Sequence, residues 1–329
     1  MSSITRERVT EALRSTGISL LITLVTLVAL EGLLRLVSPR MLRDSSSERS
    51  LTYQYDPELG WAPVPNSSAD VTNARKVHAQ HNSLGLRDVE FVRDGRPAML
   101  FIGDSFVWGL DAEANERFTD LLRGRIPGYN IVNAGVSGYG TDQEYLLLQR
   151  LWPDIEPKVV VLVFCTENDH FDNSTSVRYE SYQKPYFATA ADGTLVLKGQ
   201  PVPKSRQVYV KENWLVRHSL LARVVVYNFV DLVHPAVDVP DPSERLVSKI
   251  RDFVEAHGAK LIVGVQTRDD KLVAHLQAER IPFVGFDGAE AYPDPSGAHW
   301  TPNGQRLVAE RLFGLLSENG LVGENKASR

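Results

Sequence analysis

Residues 98–106 read AMLFIGDSF, five apolar residues followed by a glycine, an aspartate and a serine. A short apolar run that ends at a turn residue is typical of a strand covered on both faces of a sheet. Amphipathic stretches that fit helices separate this run from four others, at residues 130–132, 159–164, 260–265 and 282–286. The alternation predicts a flavodoxin-like three-layer α/β/α sandwich with a five-stranded parallel sheet.

Two of the expected helices carry clear start signals. One is predicted over residues 141–152, with a capping box formed by Thr141 and Glu144 and a stop at Pro153. The last helix is predicted to begin at Thr301, which precedes a proline suited to the first helical position.

The loops that follow the strands carry residues suited to acyl transfer. The carboxyl ends of parallel strands open onto one edge of the sheet, so these loops should meet there. Ser105 follows the first strand and His299 comes shortly after the fifth. A histidine can take the proton of a serine hydroxyl and make it a nucleophile. The backbone N–H groups of Ser105 and Gly135 and the side-chain amide of Asn168 are candidate donors to an oxyanion.

A carboxylate that fixes the tautomer of the His299 imidazole would complete such a site. Three alternatives are open for the group that holds the imidazole. Asp294 is preferred, because a Pro-Ser-Gly turn at residues 295–297 can bring it to the imidazole of His299. Asp287, at the end of the fifth strand, is the second choice. The third is a Ser-His dyad in which a backbone carbonyl of the 295–297 turn holds the imidazole.

These residues resemble the signature of the GDSL or SGNH hydrolases. Residues 103–105 are similar to the family's first block, Gly135 to its second, residues 168–169 to its third and His299 to its last. The resemblance covers residues 96–318. It implies a serine esterase that works through an acyl-enzyme and needs neither a cofactor nor a metal.

The sequence departs from the family pattern in two places. Thr166 occupies the usual glycine position of the third block, and Ser296 occupies the usual aspartate position of the last.

Residues 81–88 and 138–142, taken with an apolar N-terminal segment, are similar to a bacterial branch of single-span members.

That N-terminal segment, residues 17–37, is predicted to be a transmembrane signal anchor. About 20 residues are enough to span a bilayer, and no cleavage site follows the apolar run. Residues 1–16 are then expected in the cytoplasm and the bulk of the chain outside it, with residues 38–95 as a stalk and lead-in. A buried core helix is the alternative for this segment.

The remaining boundaries follow from the strand pattern. The hydrolase domain is expected over residues 96–318, with a tail at 319–329. Residues 170–239 are too long for a plain connection and are expected to be an insertion that forms a lid or substrate wall. Asp192-Gly193 predicts a hairpin within it, and residues 214–229 predict a helix.

Composition excludes several other classes of function. The 36 Lys and Arg residues against 41 Asp and Glu residues give a formal charge of −5, so no basic surplus indicates a nucleic-acid partner. Cys165 is the single cysteine, which excludes an internal disulfide and a cysteine-based zinc site. Phosphate-loop, zinc-protease and G-x-S-x-G motifs do not occur.

The expected function is therefore that of a membrane-anchored, extracytoplasmic serine esterase. Its expected substrate is an O-acyl ester of a cell-surface or secreted carbohydrate. Two alternatives stay open: a polysaccharide O-acetyltransferase that uses the same Ser-His site, with polysaccharide-biosynthesis proteins as partners, and a noncatalytic scaffold or binding protein of the cell envelope.

Overall fold

The computed structural model describes residues 3–37, 42, 52–179, 181–293 and 298–323. Two compact units are present. The helical unit consists of the described residues of Met1–Ser45 and Ser205–Pro235, and the sheet unit consists of those of Ser46–Lys204 and Ala236–Arg329.

The strands lie in the sheet unit. In chain order they are β1 (Tyr53–Asp56), β2 (Gly60–Pro63), β3 (Ser68–Thr72), β4 (Lys76–Gln80), β5 (Ala98–Gly103), β6 (Asn130–Asn133), β7 (Val159–Phe164), β8 (Val177–Arg178), β9 (Tyr182–Gln183), β10 (Tyr186–Thr189), β11 (Leu195–Lys198), β12 (Lys260–Val265) and β13 (Phe283–Gly285).

The helices are shared between the two units. In chain order they are α1 (Ser3–Val37), α2 (Ser105–Trp108), α3 (Phe118–Arg125), α4 (Thr141–Ile155), α5 (Asp169–Asn173), α6 (Arg206–Glu212), α7 (Trp214–His218), α8 (Leu220–Val233), α9 (Ser243–Ala256), α10 (Asp270–Ala278) and α11 (Pro302–Glu318). A 3-10 turn covers Ala114–Glu116.

Five strands form the central sheet in the order β13-β12-β7-β5-β6. Every neighbouring pair is parallel. Numbered along the chain, this is the flavodoxin-like order 2-1-3-4-5, so the predicted sheet is confirmed. The fifth strand is shorter than predicted and covers only Phe283–Gly285.

Successive side chains of β5 enter two separate hydrophobic clusters, as the alternation of a strand requires. Met99 and Phe101 pack in one cluster with residues of α3 and α11. Leu100 and Ile102 pack in the other with residues of α4, α9 and α10. Helices therefore cover both faces of the sheet, which confirms the three layers.

Helix α4 differs from the prediction at both ends. Its N-cap is Gly140, one residue before the expected Thr141. The carboxylate of Glu144 does not close a capping box, because it is buried and accepts no hydrogen bond from the described residues. Pro153 lies inside the helix. Its missing N–H falls in the last turn, which still closes with a 2.9 Å bond from the Glu156 N–H to the Trp152 carbonyl.

Much of the segment expected to be a stalk is folded into the sheet unit. Strands β1 and β2 form one antiparallel hairpin, and β3 and β4 form another. Trp61 of β2 packs in the cluster that covers one face of the central sheet, while Val71 and Val77 pack against Trp108 of α2. The runs are short and separated by proline and serine turns, so their alternation is weak in the sequence.

The expected insertion is divided between the two units. Strands β10 and β11 pair as an antiparallel hairpin around Asp192-Gly193, as the sequence predicts. Residues 214–229, predicted to be one helix, form α7 and most of α8 instead. The break falls at Ser219, whose side chain accepts a hydrogen bond from the Ala222 N–H and so caps α8.

Helix α1 of the helical unit is exposed along nearly its whole described length. Among the residues that the structure describes, Arg8–Val37 is the one helix long and apolar enough to cross a membrane.

Candidate active site

The turn after β5 places Ser105 at the first position of α2. Asp104, the N-cap of this helix, is buried and accepts a 2.9 Å hydrogen bond from the Phe106 N–H. Ser105 itself is only partly buried, so its hydroxyl lies at the edge of the sheet where the strand ends. This is the position expected for a ligand site in a parallel sheet.

His299 is held at the start of the last helix. Thr301 caps α11 as predicted, since its Oγ1 accepts a 3.3 Å hydrogen bond from the Gly304 N–H and Pro302 follows it. The His299 ring lies 4.9 Å from the ring of Phe106, centroid to centroid. With only 7% of its surface exposed, the imidazole has little freedom to turn.

The structure brings the predicted nucleophile and base together. Ser105 Oγ lies 2.8 Å from His299 Nε2, although the two residues are 194 positions apart in the chain. This distance suits direct proton transfer from the hydroxyl to the imidazole.

The other imidazole nitrogen faces a carboxylate that the sequence analysis did not single out. His299 Nδ1 is buried, makes no hydrogen bond within the described part of the chain, and lies 3.7 Å from Asp111 Oδ2. Asp111 is fully buried. Its carboxylate accepts hydrogen bonds from the Asn73 side-chain amide, at 2.8 Å, and from the Arg75 N–H, at 3.1 Å.

Of the two carboxylates weighed from the sequence, Asp287 is among the described residues and Asp294 is not. Asp294 and the 295–297 turn are outside the described residues. Asp287 Oδ1 accepts a 2.8 Å hydrogen bond from the Arg268 N–H, so this carboxylate is engaged by the loop after β12. Asp111 lies only six residues after Ser105, in a loop whose backbone has a positive φ of 64°. The sequence indicates a role for Asp111 only through its short distance from Ser105 along the chain and its position two residues after Gly109.

Asn168 lies next to the nucleophile turn. Its Nδ2 is 3.4 Å from Asp104 Oδ2, and Ser105 Oγ is 3.4 Å from the same oxygen. The Asp104 carboxylate therefore connects the serine to the asparagine amide. Asp169, the next residue, fixes the loop by accepting a 2.8 Å hydrogen bond from the Cys165 N–H.

Gly135 has a packing role that the sequence analysis did not anticipate. Its N–H, a predicted oxyanion donor, donates instead to Asn133 Oδ1 at 3.0 Å. A Cβ atom at this position would lie 2.2 Å from the Trp108 nitrogen and 2.6 Å from the Val107 carbonyl carbon. Only glycine allows the loop after β6 to approach the backbone of α2 this closely.

The unusual third block is held by a neighbouring loop. Thr166 Oγ1 is 2.6 Å from Thr267 Oγ1. Gln266 Nε2 donates a 2.9 Å hydrogen bond to Glu167 Oε1. Thr166, which departs from the family pattern, and its neighbour Glu167 therefore contact the loop after β12.

Arg87 fixes the loop that follows α2. Its guanidinium is buried and donates hydrogen bonds to the carbonyls of Trp108, Gly109, Ala112 and His78, at 3.2, 2.6, 2.8 and 3.0 Å respectively. Because Asp111 lies within the same loop, Arg87 also supports the position of the carboxylate near His299.

Several carboxyl groups are buried behind the third block. Burial raises the pKa of Glu144 and of Asp169 well above the usual range, and neighbouring carboxylates add to the effect. Burial also raises the pKa of Asp172, to about 7. The ammonium group of Lys184 pairs with the neighbouring Asp142.

His170, Asp241 and Glu244 lie close enough together to be considered as metal ligands. Both nitrogens of His170 are already engaged, however, at 2.7 Å from Asp241 Oδ2 and 2.7 Å from Asp269 Oδ2. The hydrogen bond to Asp241, with a second to Asp269, raises the pKa of His170 to about 9 although partial burial opposes this. The cluster is therefore best described as an imidazolium between two carboxylates.

No protein-family profile and no curated protein matches this sequence. Solved structures with a similar arrangement include TesA, at 15% identity over 67% of this chain and 98% of that chain, with a TM-score of 0.40. A lipolytic protein of the G-D-S-L family from Veillonella parvula has 13% identity over 67% of this chain and 98% of its own, with a TM-score of 0.40. A two-domain esterase active on acetylated mannans has 12% identity over 71% of this chain and 52% of its own, with a TM-score of 0.39. The G-D-S-L family, to which the second of these structures is assigned, is the family that the sequence blocks of this chain resemble.

Proposed function

We propose that this chain is a serine esterase of the GDSL or SGNH type, which hydrolyses O-acyl esters through an acyl-enzyme. The observation that carries the proposal is the 2.8 Å contact between Ser105 Oγ and His299 Nε2 at the edge of the sheet. A partly exposed serine that contacts a histidine is the arrangement needed for an activated nucleophile.

In the first step, Ser105 Oγ attacks the ester carbonyl carbon while His299 Nε2 takes the hydroxyl proton. The tetrahedral intermediate expels the alcohol, which receives that proton from His299, and an acyl-serine remains. Water then attacks the acyl-serine, again losing a proton to His299. The acid leaves as Ser105 Oγ recovers its proton, so the enzyme returns to its starting state.

Asp111 takes the role of the orienting carboxylate in this proposal. A negative charge 3.7 Å from His299 Nδ1 favours the tautomer that carries its proton there, which leaves Nε2 able to accept one. Contacts of this kind are often long in unliganded sites and shorten when substrate binds.

The oxyanion is stabilised by donors on two loops. The N–H of Ser105 lies in the first turn of α2, where backbone N–H groups have no partner within the helix. The amide of Asn168 lies close to the same turn, because both contact Asp104. Gly135 contributes through the close packing of its loop on α2.

We further propose that α1 anchors the chain in a membrane and that the sheet unit lies outside the cytoplasm. The apolar length of α1 and its exposed surface support the anchor. A lone N-terminal span ahead of a long folded domain usually acts as an uncleaved signal anchor. An O-acyl ester on a cell-surface or secreted carbohydrate is the proposed substrate, since such esters occur on that side of the membrane.

Hydrolysis of p-nitrophenyl acetate and of an acetylated polysaccharide by the detergent-solubilised full chain tests the proposal. Ser105→Ala and His299→Ala should each lower kcat at least about 1,000-fold, and the double variant should be little worse than either, because the two residues act as a unit. His257→Ala, a control outside the site, should have the same kcat as the unchanged protein. Full activity in Ser105→Ala would refute the assignment.

A further inference from the structure

A stripe of exposed apolar side chains runs along the outer face of α8. The inner face of this helix is buried at Tyr227 and Val230. Val225, Phe229 and Leu232 repeat at helical spacing on the opposite side, and Phe229 and Leu232 are 58% and 81% exposed. A helix surrounded by water normally has a polar outer face, so this stripe indicates an apolar environment.

The stripe is continuous with the apolar surface of α1. A groove between the two helices is lined by Leu27 and Val28 from α1 and by Leu221, Ala222 and Val225 from α8. Glu31 and Ser219 also line the groove, and apart from these two residues the exposed apolar surface of α1 extends across it onto α8. The water or lipid that surrounds α1 near Leu27 and Val28 therefore also contacts the stripe on α8.

Glu31 fixes α8 against α1 at a defined level. Its carboxylate accepts hydrogen bonds from the Ser219 hydroxyl at 2.9 Å, the Leu220 N–H at 3.1 Å and the Leu221 N–H at 2.9 Å. Arg35 donates a further 2.8 Å bond to the same carboxylate. An acid at the N-terminus of α8 also complements the helix dipole, so this polar junction is fully satisfied.

The level of this junction is the end of the apolar stretch of α1. Residues 15–30 carry no charge, and Glu31 is the first charged residue after them. Leu27, which lines the groove, lies one helical turn deeper, about 6 Å from Glu31 along the axis. Helices that lie in a membrane interface bury their apolar face by about 5–10 Å. Trp214 of α7 is 73% exposed, and tryptophan is favoured at this level of a bilayer.

We infer that α7 and α8 lie in the outer interface of the lipid bilayer beside α1, with Val225, Phe229 and Leu232 against the acyl chains. The inference rests on the proposed membrane anchor. It goes beyond a single-span tether, because a second helix in the interface would hold the whole helical unit at a fixed tilt and rotation relative to the bilayer.

The test uses the full chain in phosphatidylcholine liposomes with a fluorescent nitrobenzoxadiazole label on single introduced cysteines. Native Cys165 is buried, and labelling of the unchanged chain gives the blank. Phe229→Cys and Leu232→Cys probe the stripe. Asp231→Cys is the matched control on another face of α8, and Leu20→Cys reports on the anchor itself. Ester hydrolysis by each labelled variant verifies folding.

Labels at positions 229 and 232 should be quenched more strongly by lipids with a shallow doxyl group than by deep ones, and should be protected from aqueous iodide at least 3-fold relative to position 231. The inference is overturned if iodide reaches all three positions equally while position 20 is still quenched by lipid. Protection from both iodide and doxyl lipids would overturn it in favour of a protein partner or a second copy. If position 20 is not quenched either, the proposed anchor itself fails, and the inference fails with it.

Discussion

At the scale of single residues, the two nitrogens of His299 have different surroundings. Nε2 contacts the Ser105 hydroxyl at 2.8 Å, whereas Nδ1 faces the buried carboxylate of Asp111 at 3.7 Å. The serine and the histidine could be predicted from the sequence, since each follows a strand in a recognisable block. Asp111 could not, because its role depends on how a loop without a motif folds back over the histidine.

We expect Asp111→Asn to leave the fold intact and to lower kcat by about 10²–10⁴-fold, because an amide can stabilise the wrong imidazole tautomer. The single amide oxygen of an asparagine can keep only one of the hydrogen bonds that Asn73 and Arg75 donate to the two carboxylate oxygens, so a modest fall in melting temperature should accompany the loss of kcat. Asp287→Asn is the control and should be close to the unchanged protein. If Asp294→Asn strongly lowers kcat and Asp111→Asn does not, the carboxylate that orients His299 is Asp294.

Asn168→Ala should lower kcat about 100-fold or more with a smaller effect on KM, as the loss of one oxyanion donor does. Steady-state kinetics on a soluble ester measure the split between the two constants. Asn173→Ala, which removes a buried asparagine hydrogen-bonded to Ser243, is the comparison for purely structural damage. Equal losses in the two variants would argue against an oxyanion role.

At the scale of elements, the nucleophile helix α2 is positioned from two sides. The loop after β6 approaches its backbone at Gly135, and the β3–β4 hairpin packs against Trp108. Both neighbours support α2, so a shift of either would move Ser105 relative to His299. Catalytic geometry here depends on close packing of backbone against backbone.

Gly135→Ala should therefore lower both the melting temperature and kcat, because the added Cβ would lie 2.2 Å from the Trp108 nitrogen. Gly124→Ala in α3 is the matched control. Nothing lies within 4 Å of its added Cβ, so it should be neutral or stabilising by about 0.5–1 kcal/mol. Differential scanning fluorimetry and ester hydrolysis report the two effects, and unchanged activity in Gly135→Ala would contradict the packing argument.

Strands and helices could be predicted from the sequence where their burial leaves a strong hydrophobic pattern. The first four central strands end within a residue or so of their predicted limits, because strands covered on both faces are nearly continuous apolar runs. The N-terminal hairpins were not predicted, since each strand has only four or five residues and polar turns interrupt the alternation. The first helical residue of α4 agrees with the prediction, but its cap does not, because Gly140 is the N-cap and Gln143 rather than Glu144 accepts the N–H of the capping residue.

At the scale of the whole molecule, the buried carboxyl groups should make stability depend on pH. Burial raises the pKa values of Glu144 and Asp169 well above their usual range and that of Asp172 to about 7. The folded chain then binds more protons than the unfolded chain at neutral pH. Their stabilising contribution is fully present below about pH 4 and is lost as the pH rises through the raised values.

Glu144→Gln tests this directly. An amide matches the shape of a protonated carboxyl group but carries no proton to lose, so the variant should gain melting temperature relative to the unchanged protein at pH 8 and much less at pH 5. Glu58→Gln, an exposed carboxylate, should show no such pH dependence. A Glu144→Gln variant that is equally destabilised at both pH values would show that the carboxylate makes contacts the fold requires.

Arg87 has a consequence for how this protein can be recombined with its relatives. Its guanidinium comes from a segment ahead of the first central strand, yet it holds four carbonyls that include the loop behind the nucleophile. A chimaera that exchanges the central sheet and the catalytic loops but leaves residues 76–88 behind would separate this donor from three of its four acceptors, the carbonyls of Trp108, Gly109 and Ala112. Residues 76–88 and the loop after α2 should therefore be exchanged together if the nucleophile is to keep its position.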